Sequence, residues 1–456
     1  MTRKLSLMFV LIVVTLSFCF LSCSKKTDPI TDYINLCKET NADTVLVVKD
    51  DKVLGEWSKE GYPGYSQAMS LTKSISSVVL GLVEYNGLIN HEDKVGKYIP
   101  SWNEGLRSKV TIKHLLTHRG GILRRVKKED DSVGFVAEKN EFVINIVPDF
   151  EPGTKCSYSN EGAQLLSPIL NAAVGMNIGD YAFQNLFKPL GMNESSFRRS
   201  GVNSDAWTYA DMRTTPRDLV KIGKLMINKG VMDGKRYLTE EYVEKSTTPF
   251  QGEKDFGYMW FVTNYGGTKV IIARGYLDTN LYVIPEANVI IVRMQSPVNK
   301  FSGEDEAYPY CKKEEQYISA IIDYQVPKNE MDDKETLVFT NLCDQVIEPV
   351  KVVEVVKEDL DIDENELLAK AHKLSLHGNE CEIIEMLEPV FRKAGVEPKV
   401  LFEAHSLVAL QYSRYKDFDK FKYHVLEARK YVNAPTLKFY KKQFEEFEAI
   451  VKKGHF

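Results

Sequence analysis

The chain has 456 residues, 43% of them hydrophobic and 27% charged, with a formal net charge of −5. That length suggests about two to three domains and supplies ample apolar material for a large core. The near balance of charge leaves no electrostatic footprint for nucleic acid, and 28 Gly and 17 Pro exclude collagen-like, disordered and coiled-coil compositions.

Residues 1–23 read MTRKLSLMFVLIVVTLSFCFLSC, with Arg3 and Lys4 ahead of an apolar run from Leu5 to Leu21. A basic start followed by such a run is the pattern of a secretory signal. The run is also near the roughly 18 residues that cross a bilayer, so an uncleaved anchor is the other reading. Leu21-Ser22-Cys23, followed by Ser24, Lys25 and Lys26, resembles the lipobox of bacterial lipoproteins, with Phe20 where that family has Leu. The resemblance implies a signal peptide over 1–22 and a lipidated Cys23. The body then faces the periplasm or cell exterior, and only the N-terminal lipid belongs to the membrane.

From Asp43 the pattern TVLVVKDDKVLGEW places two β-rich runs around Lys49-Asp50-Asp51, which predicts a hairpin. Residues 70–84 (SLTKSISSVVLGLVE) carry apolar positions at helical intervals. Mixed helical and loop sequence follows to about 255. Strand patterns return at 269–275, 281–285 and 289–294, and a last amphipathic stretch ends near Tyr324. Strands at both ends with helices between them predict an α+β domain over 34–330, its sheet closed by the two extremities. Residues 331–362 read as a linker. After it, 363–456 predict a small all-α domain of four or five amphipathic helices. A period of about 37, marked by Pro398 and Pro435, weakly resembles tetratricopeptide repeats, and a plain helical bundle is the alternative. Such a tail suits contacts with a protein partner.

Seven cysteines are present, two of them (Cys19 and Cys23) in the N-terminal segment. The other five are scattered, so neither a zinc site nor a disulfide framework is predicted. Cys156, though close to a candidate active residue, reads as a small buried core residue. The eight histidines are scattered too, and no metal or cofactor is expected.

Three elements carry the chemical argument. Ser70-Leu71-Thr72-Lys73 puts serine and lysine three apart on one helix face. A serine hydroxyl needs a neighbour to take its proton, and a neutral lysine can do so. The helix N-terminus adds an N–H and a positive dipole for an oxyanion. Ser-x-x-Lys also occurs at 22–25 and 413–416, but only Ser70 opens an apolar helix after a Gly- and Tyr-rich loop. Tyr158-Ser159-Asn160 supplies a phenol that can relay protons and an amide that can hold a lysine or a carbonyl. Ala273-Arg274-Gly275, on a strand and followed by Tyr276, can bind substrate backbone and give a second oxyanion N–H.

Together these resemble the serine β-lactamase and penicillin-binding-protein superfamily, most closely its class C-like branch, whose second motif is Tyr-x-Asn. Collinear segments agree: Ile112 to Gly121, Glu151 to Thr154, Pro189 to Met192, Thr214 to Leu219 and Phe256 to Trp260. The resemblance covers about 40–325 and implies an antiparallel sheet flanked by helices, with a helical subdomain. It implies Ser70 as the acylated nucleophile and Lys73 with Tyr158 as general base and acid. Asn160 would position lysine and substrate, and Arg274, Gly275 and Tyr276 would line the substrate site. His114 and His118 read as structural.

One departure matters. The family's third motif begins with Lys or His, and Ala273 stands there. Arg274 is one position on, where strand alternation turns its side chain away unless a bulge re-aims it. Asp278 reads as a turn residue. The loss of the cation weakens the case for carboxylate-bearing substrates and leaves Ser/Lys/Tyr acyl transfer intact. The expected function is an extracytoplasmic serine hydrolase of small ester, amide or peptide substrates. D-Ala-directed peptidase, β-lactamase and a non-catalytic binding lipoprotein are the alternatives.

Overall fold

The computed structural model of the chain describes residues 28–125, 132–136, 138–199, 205–250, 255–296, 310–337 and 339. In the C-terminal part it describes 363–375, 396–414, 418–431 and scattered positions over 383–393 and 444–452. The signal segment, Cys23 and most of the linker lie outside these residues. No helix among the described residues is long and apolar enough to cross a membrane.

Helix α1 (Pro29–Glu39) starts where Asp28 accepts hydrogen bonds from the Ile30 and Thr31 amides and Pro29 pre-sets the first turn. It leads into β1 (Thr44–Lys49) and β2 (Lys52–Ser58). The hairpin between them turns on Asp50 and Asp51, both at positive φ (50° and 63°), as a two-residue turn of this hand requires. β3 (Ser66–Gln67) precedes a 3-10 turn, Met69–Leu71, and helix α2 (Thr72–Tyr85). Ser70 therefore sits in the turn, and the α-helix proper begins two residues later.

Helical and loop segments fill the middle of the chain. They include α3 (Ile112–Leu116), α4 (Lys139–Asn145), α5 (Asn160–Gln164) and α6 (Leu166–Val174). β4 (Arg213–Thr214) pairs with β3, and α7 (Pro216–Ile227) follows a Thr215 cap. The hairpin of β5 (Val231–Met232) and β6 (Lys235–Arg236) precedes four strands: β7 (Phe261–Tyr265), β8 (Thr268–Arg274), β9 (Asn280–Ile284) and β10 (Val289–Met294). β7 lies where the sequence predicts no strand, since its five residues are only partly alternating. Helix α8 (Glu314–Asp323) follows, and residues 335–337, read from sequence as the start of a linker, return to the edge of β2, where Lys52 bridges Thr336 and the Leu337 amide donates to Asp51 O.

The main sheet is antiparallel in the order β2-β1-β10-β9-β8-β7, so the two extremities meet at its centre. Thr44 stands opposite Met294 and Lys49 opposite Val289. Alternate residues face opposite layers. Leu46, Val48, Ile271, Ala273, Val283 and Val292 pack with α2 and α7, whereas Val45, Val47, Val270, Ile272 and Ile291 pack with α1 and α8. Each buried Val, Leu or Ile among them contributes roughly 1.5–3 kcal/mol. The fold is the α+β architecture expected for the β-lactamase-like class.

The C-terminal helices α9 (Glu364–Ser375), α10 (Pro398–Arg414) and α11 (Phe418–Arg429) enclose a core of their own. Val400, Ala404, Val408 and Tyr412 on α10 meet Phe421, Val425 and Ala428 on α11 there.

Candidate active site

The turn that carries Ser70 is tied, through residues 66–69, to the segment 211–214 by main-chain hydrogen bonds. Gln67 pairs with Arg213, the Ala68 amide donates to the Met212 carbonyl at 2.8 Å, and the Asp211 amide donates to Met69 O at 3.1 Å. The Thr72 hydroxyl donates to Met69 O (2.7 Å) and accepts from the Met212 amide (3.0 Å). Met69 is held at φ 47°, a left-handed conformation that a non-glycine residue adopts only where the surroundings impose it.

One helical turn on, the buried Lys73 donates from Nζ to Ser70 Oγ at 3.2 Å and to the Tyr209 carbonyl at 2.6 Å. The same stretch, 209–214, thus holds both the Ser70 turn and the lysine. Tyr209 acts through its main chain, which leaves no signature in side-chain chemistry, and the sequence reading misses it.

Tyr158 arrives from a loop pinned to His118. The Ser157 amide donates to His118 O (2.7 Å), the Ser159 amide donates to His118 Nδ1 (3.4 Å), and Ser159 Oγ caps α5 by accepting from the Gly162 amide. The His118 ring stacks on Phe256 (5.2 Å between centroids) and lies against Tyr158. Burial, then the charge of Lys73, pushes the His118 imidazole down to about 3, so it is neutral. Burial by itself would raise the Tyr158 phenol. The Lys73 charge, hydrogen bonds with Lys73 and Ser70, and the Arg124 charge outweigh it and hold the phenol below its usual 10. Lys73 Nζ lies 4.8 Å from the Tyr158 ring centre and the Arg124 guanidinium 5.8 Å.

Asn160 opens α5 beside Tyr158, but its Oδ1 is buried without a hydrogen-bond partner. The bond to Lys73 expected of it is made by the Tyr209 carbonyl instead, which leaves that oxygen uncommitted. Cys156, expected in the core, is half-buried, because the loop it shares with Tyr158 runs near the surface.

β8 ends against the turn that carries Ser70. A Cβ placed on Gly275 would stand 2.8 Å from Ala68 O and 3.2 Å from Met69 Cβ, so only glycine allows this approach. The next residue, Tyr276, is exposed, and the turn continues through Leu277 and Asp278 at φ 60° and 56°. Buried Arg293 clamps that turn by donating Nη1 to Leu277 O (3.0 Å) and Asp278 O (2.9 Å).

Arg274 is the correction. Its guanidinium pairs with Glu314 of α8 at 2.7 Å, on the sheet face opposite the site. Ala273, one residue earlier, is fully buried toward α2, so strand alternation alone sends Arg274 away from a substrate. Asp278 is likewise turned to that side, where its Oδ1 accepts from Cys311 Sγ. A further buried cation, Lys139, donates to the carbonyls of Val133 (2.7 Å) and Val136 (2.9 Å) and lies over Trp207; burial, then Arg198, brings it down to about 7.

The structure therefore gathers hydroxyl, amine and phenol at one place, with a glycine-ended strand beside them. The sequence matches the profile of the Beta-lactamase family over residues 45–308. The chain belongs to the β-lactamase family. It is a member of the β-lactamase-like superfamily of serine hydrolases. It is similar to Penicillin-binding protein 4* of Bacillus subtilis, with 33% identity over 141 residues, 28% of this chain and 29% of that protein. It is also similar to the 6-aminohexanoate-dimer hydrolase of Paenarthrobacter ureafaciens, with 21% identity over 57% of this chain and 74% of that protein. Among solved structures, an octameric penicillin-binding protein homologue from Pyrococcus abyssi superposes with TM-score 0.51 at 20% identity, over 64% of this chain and 76% of that one. A β-lactamase/D-alanine carboxypeptidase from Yersinia pestis does so with TM-score 0.51 at 16% identity, over 66% and 100%. At such identities the structural likeness establishes the β-lactamase fold.

Proposed function

We propose that this β-lactamase-family chain hydrolyses ester or amide bonds of small or peptide substrates through an acyl-enzyme on Ser70. The observation that carries the reading is the 3.2 Å contact of Lys73 Nζ with Ser70 Oγ, beside a phenol held below its usual pKa. Ser70 Oγ attacks the carbonyl carbon as its proton passes to the Lys73/Tyr158 pair. The carbonyl oxygen becomes an oxyanion facing the amides of Ser70 and Tyr276, donors worth about 3–4 kcal/mol of barrier each. Collapse breaks the bond to the leaving group, which takes the proton from the pair. Water then repeats the sequence on the acyl carbon and frees Ser70. No cofactor enters these steps.

The substrate need not carry a carboxylate, since Ala273 stands where the superfamily places a cation and Arg274 is engaged with Glu314. A lipid on Cys23 would tether the body to the bacterial envelope, facing periplasm or exterior, as the lipobox-like segment implies. The reading is tested by turnover of p-nitrophenyl esters, nitrocefin and D-Ala-D-Ala peptides. Ester turnover abolished by Ser70→Ala supports it. Equal turnover in that variant, or none with any substrate, turns the reading toward a binding lipoprotein.

A further inference from the structure

Arg213 belongs to the β3–β4 pair that sets the nucleophile turn, yet its side chain points toward the C-terminal helices. The guanidinium lies 4.0 Å from the Tyr65 ring centre on one side and 5.7 Å from the Tyr412 ring centre of α10 on another. Its Nη2 pairs with Glu194 at 2.7 Å, and Lys420 of α11 reaches the same carboxylate oxygen at 3.4 Å. Lys420 Nζ also lies within 6 Å of both tyrosine ring centres, at 5.8 Å from Tyr65 and 5.7 Å from Tyr412. Two cations, two aromatic rings and one carboxylate thus form a single cluster, with one member of each cation and ring pair supplied by the tail.

We propose that the C-terminal helical unit is a positioning element for the Ser70 turn, docked through Tyr412 and Lys420 onto Tyr65, Arg213 and Glu194. Tyr65 immediately precedes β3, and Arg213 is the β4 residue opposite Gln67. The cross-strand main-chain bonds of residues 66–69 run to 211–214, and the carbonyl that holds Lys73 is at 209 in the adjoining stretch. Steadying the Arg213 side chain from outside therefore steadies the hydroxyl and the amine together. Aromatic–cation stacking around a buried guanidinium suits this task, because it resists lateral slip of the strand while leaving the backbone bonds to set the register. The effect on catalysis rests on the acyl-transfer reading; the docking does not.

The test uses the full chain with Lys420→Glu, which sets two carboxylates against each other, and Lys420→Arg, which keeps the charge. Amide hydrogen exchange is followed in peptides spanning 65–72 and 209–214, alongside ester kinetics. In Lys420→Glu, exchange there rises about three- to tenfold. The kcat falls by a similar factor, KM is unchanged, and Lys420→Arg restores both. Tyr412→Ala, which undocks the tail whether or not its helices stay folded, gives the same rise. Unchanged exchange at both segments in Lys420→Glu and in Tyr412→Ala overturns the proposal. Exchange that rises as stated while even the unmodified chain turns over no ester supports the docking and counts against acyl transfer alone.

Discussion

The rings of His118 and Tyr158 lie 4.7 Å apart, centre to centre, at an angle of 49°. The imidazole is neutral, so it supports the phenol without adding a further positive charge to those of Lys73 and Arg124. Its Nε2 is buried without a hydrogen-bond partner, which leaves it no proton-transfer path through that atom.

That neutrality has a consequence for acid stability. An unfolded histidine titrates near 6.5, whereas burial and then Lys73 hold His118 at about 3 in the folded chain. Between these values the unfolded state binds more protons. The histidine's contribution is fully present above 6.5 and is lost as pH falls toward 3. Urea midpoints measured across this window should decline in the unmodified chain and decline less steeply in His118→Phe. Parallel declines would mean that His118 is not the group responsible.

A second expectation concerns the rate. If deprotonated Tyr158 takes the serine proton, kcat/KM rises with pH as the phenol ionises. Arg124 is among the charges that lower its pKa, so Arg124→Gln raises that pKa. The ascending limb of the pH–rate profile should move to higher pH while the plateau above it is retained. A limb that stays in place would remove Tyr158 from the base role.

Gly275→Ala tests the oxyanion strand. The φ of Gly275 is −116°, which alanine adopts freely, so the added methyl acts through its close approaches to Ala68 O at 2.8 Å and Thr279 O at 2.9 Å. Displacing the strand end moves the Tyr276 amide from the oxyanion position proposed for it. The expected loss in kcat is about 10²-fold, with KM little changed. Stopped-flow acylation by an activated ester reads it directly.

How much of this was legible in the sequence follows from which groups do the work. In the proposed mechanism Ser70, Lys73 and Tyr158 act through side chains at characteristic spacings, and the outer strands alternate visibly, so these stand out. Tyr209 holds Lys73 by a carbonyl, and any residue type supplies one. Arg124 matters by its distance from Tyr158 across an intervening loop, which no local pattern encodes. β7 is short and follows an aromatic segment, so its period is hidden. Asn160 shows the opposite difficulty: the motif predicts a bond to Lys73, and a backbone acceptor from a distant loop, Tyr209 O, takes its place.

Arg274 separates the sequence-based role from the structural one. Placed in the substrate site, it should affect KM; paired with Glu314 behind the sheet, it should affect folding. Arg274→Ala is expected to leave KM for neutral esters unchanged and to cost about 3 kcal/mol of stability, since it leaves the buried Glu314 carboxylate without its counter-charge, held only by the Tyr265 and Tyr282 hydroxyls. Denaturant titration beside steady-state kinetics gives both numbers.

The covalent role of Ser70 is tested most directly by intact-mass and peptide mapping after incubation with a fluorophosphonate. One phosphonyl group on the peptide carrying Ser70 is expected, at a rate reduced about 10²-fold or more in Lys73→Ala and Tyr158→Phe, and absent in Ser70→Ala. A label on another residue, or undiminished labelling in Ser70→Ala, would contradict the account.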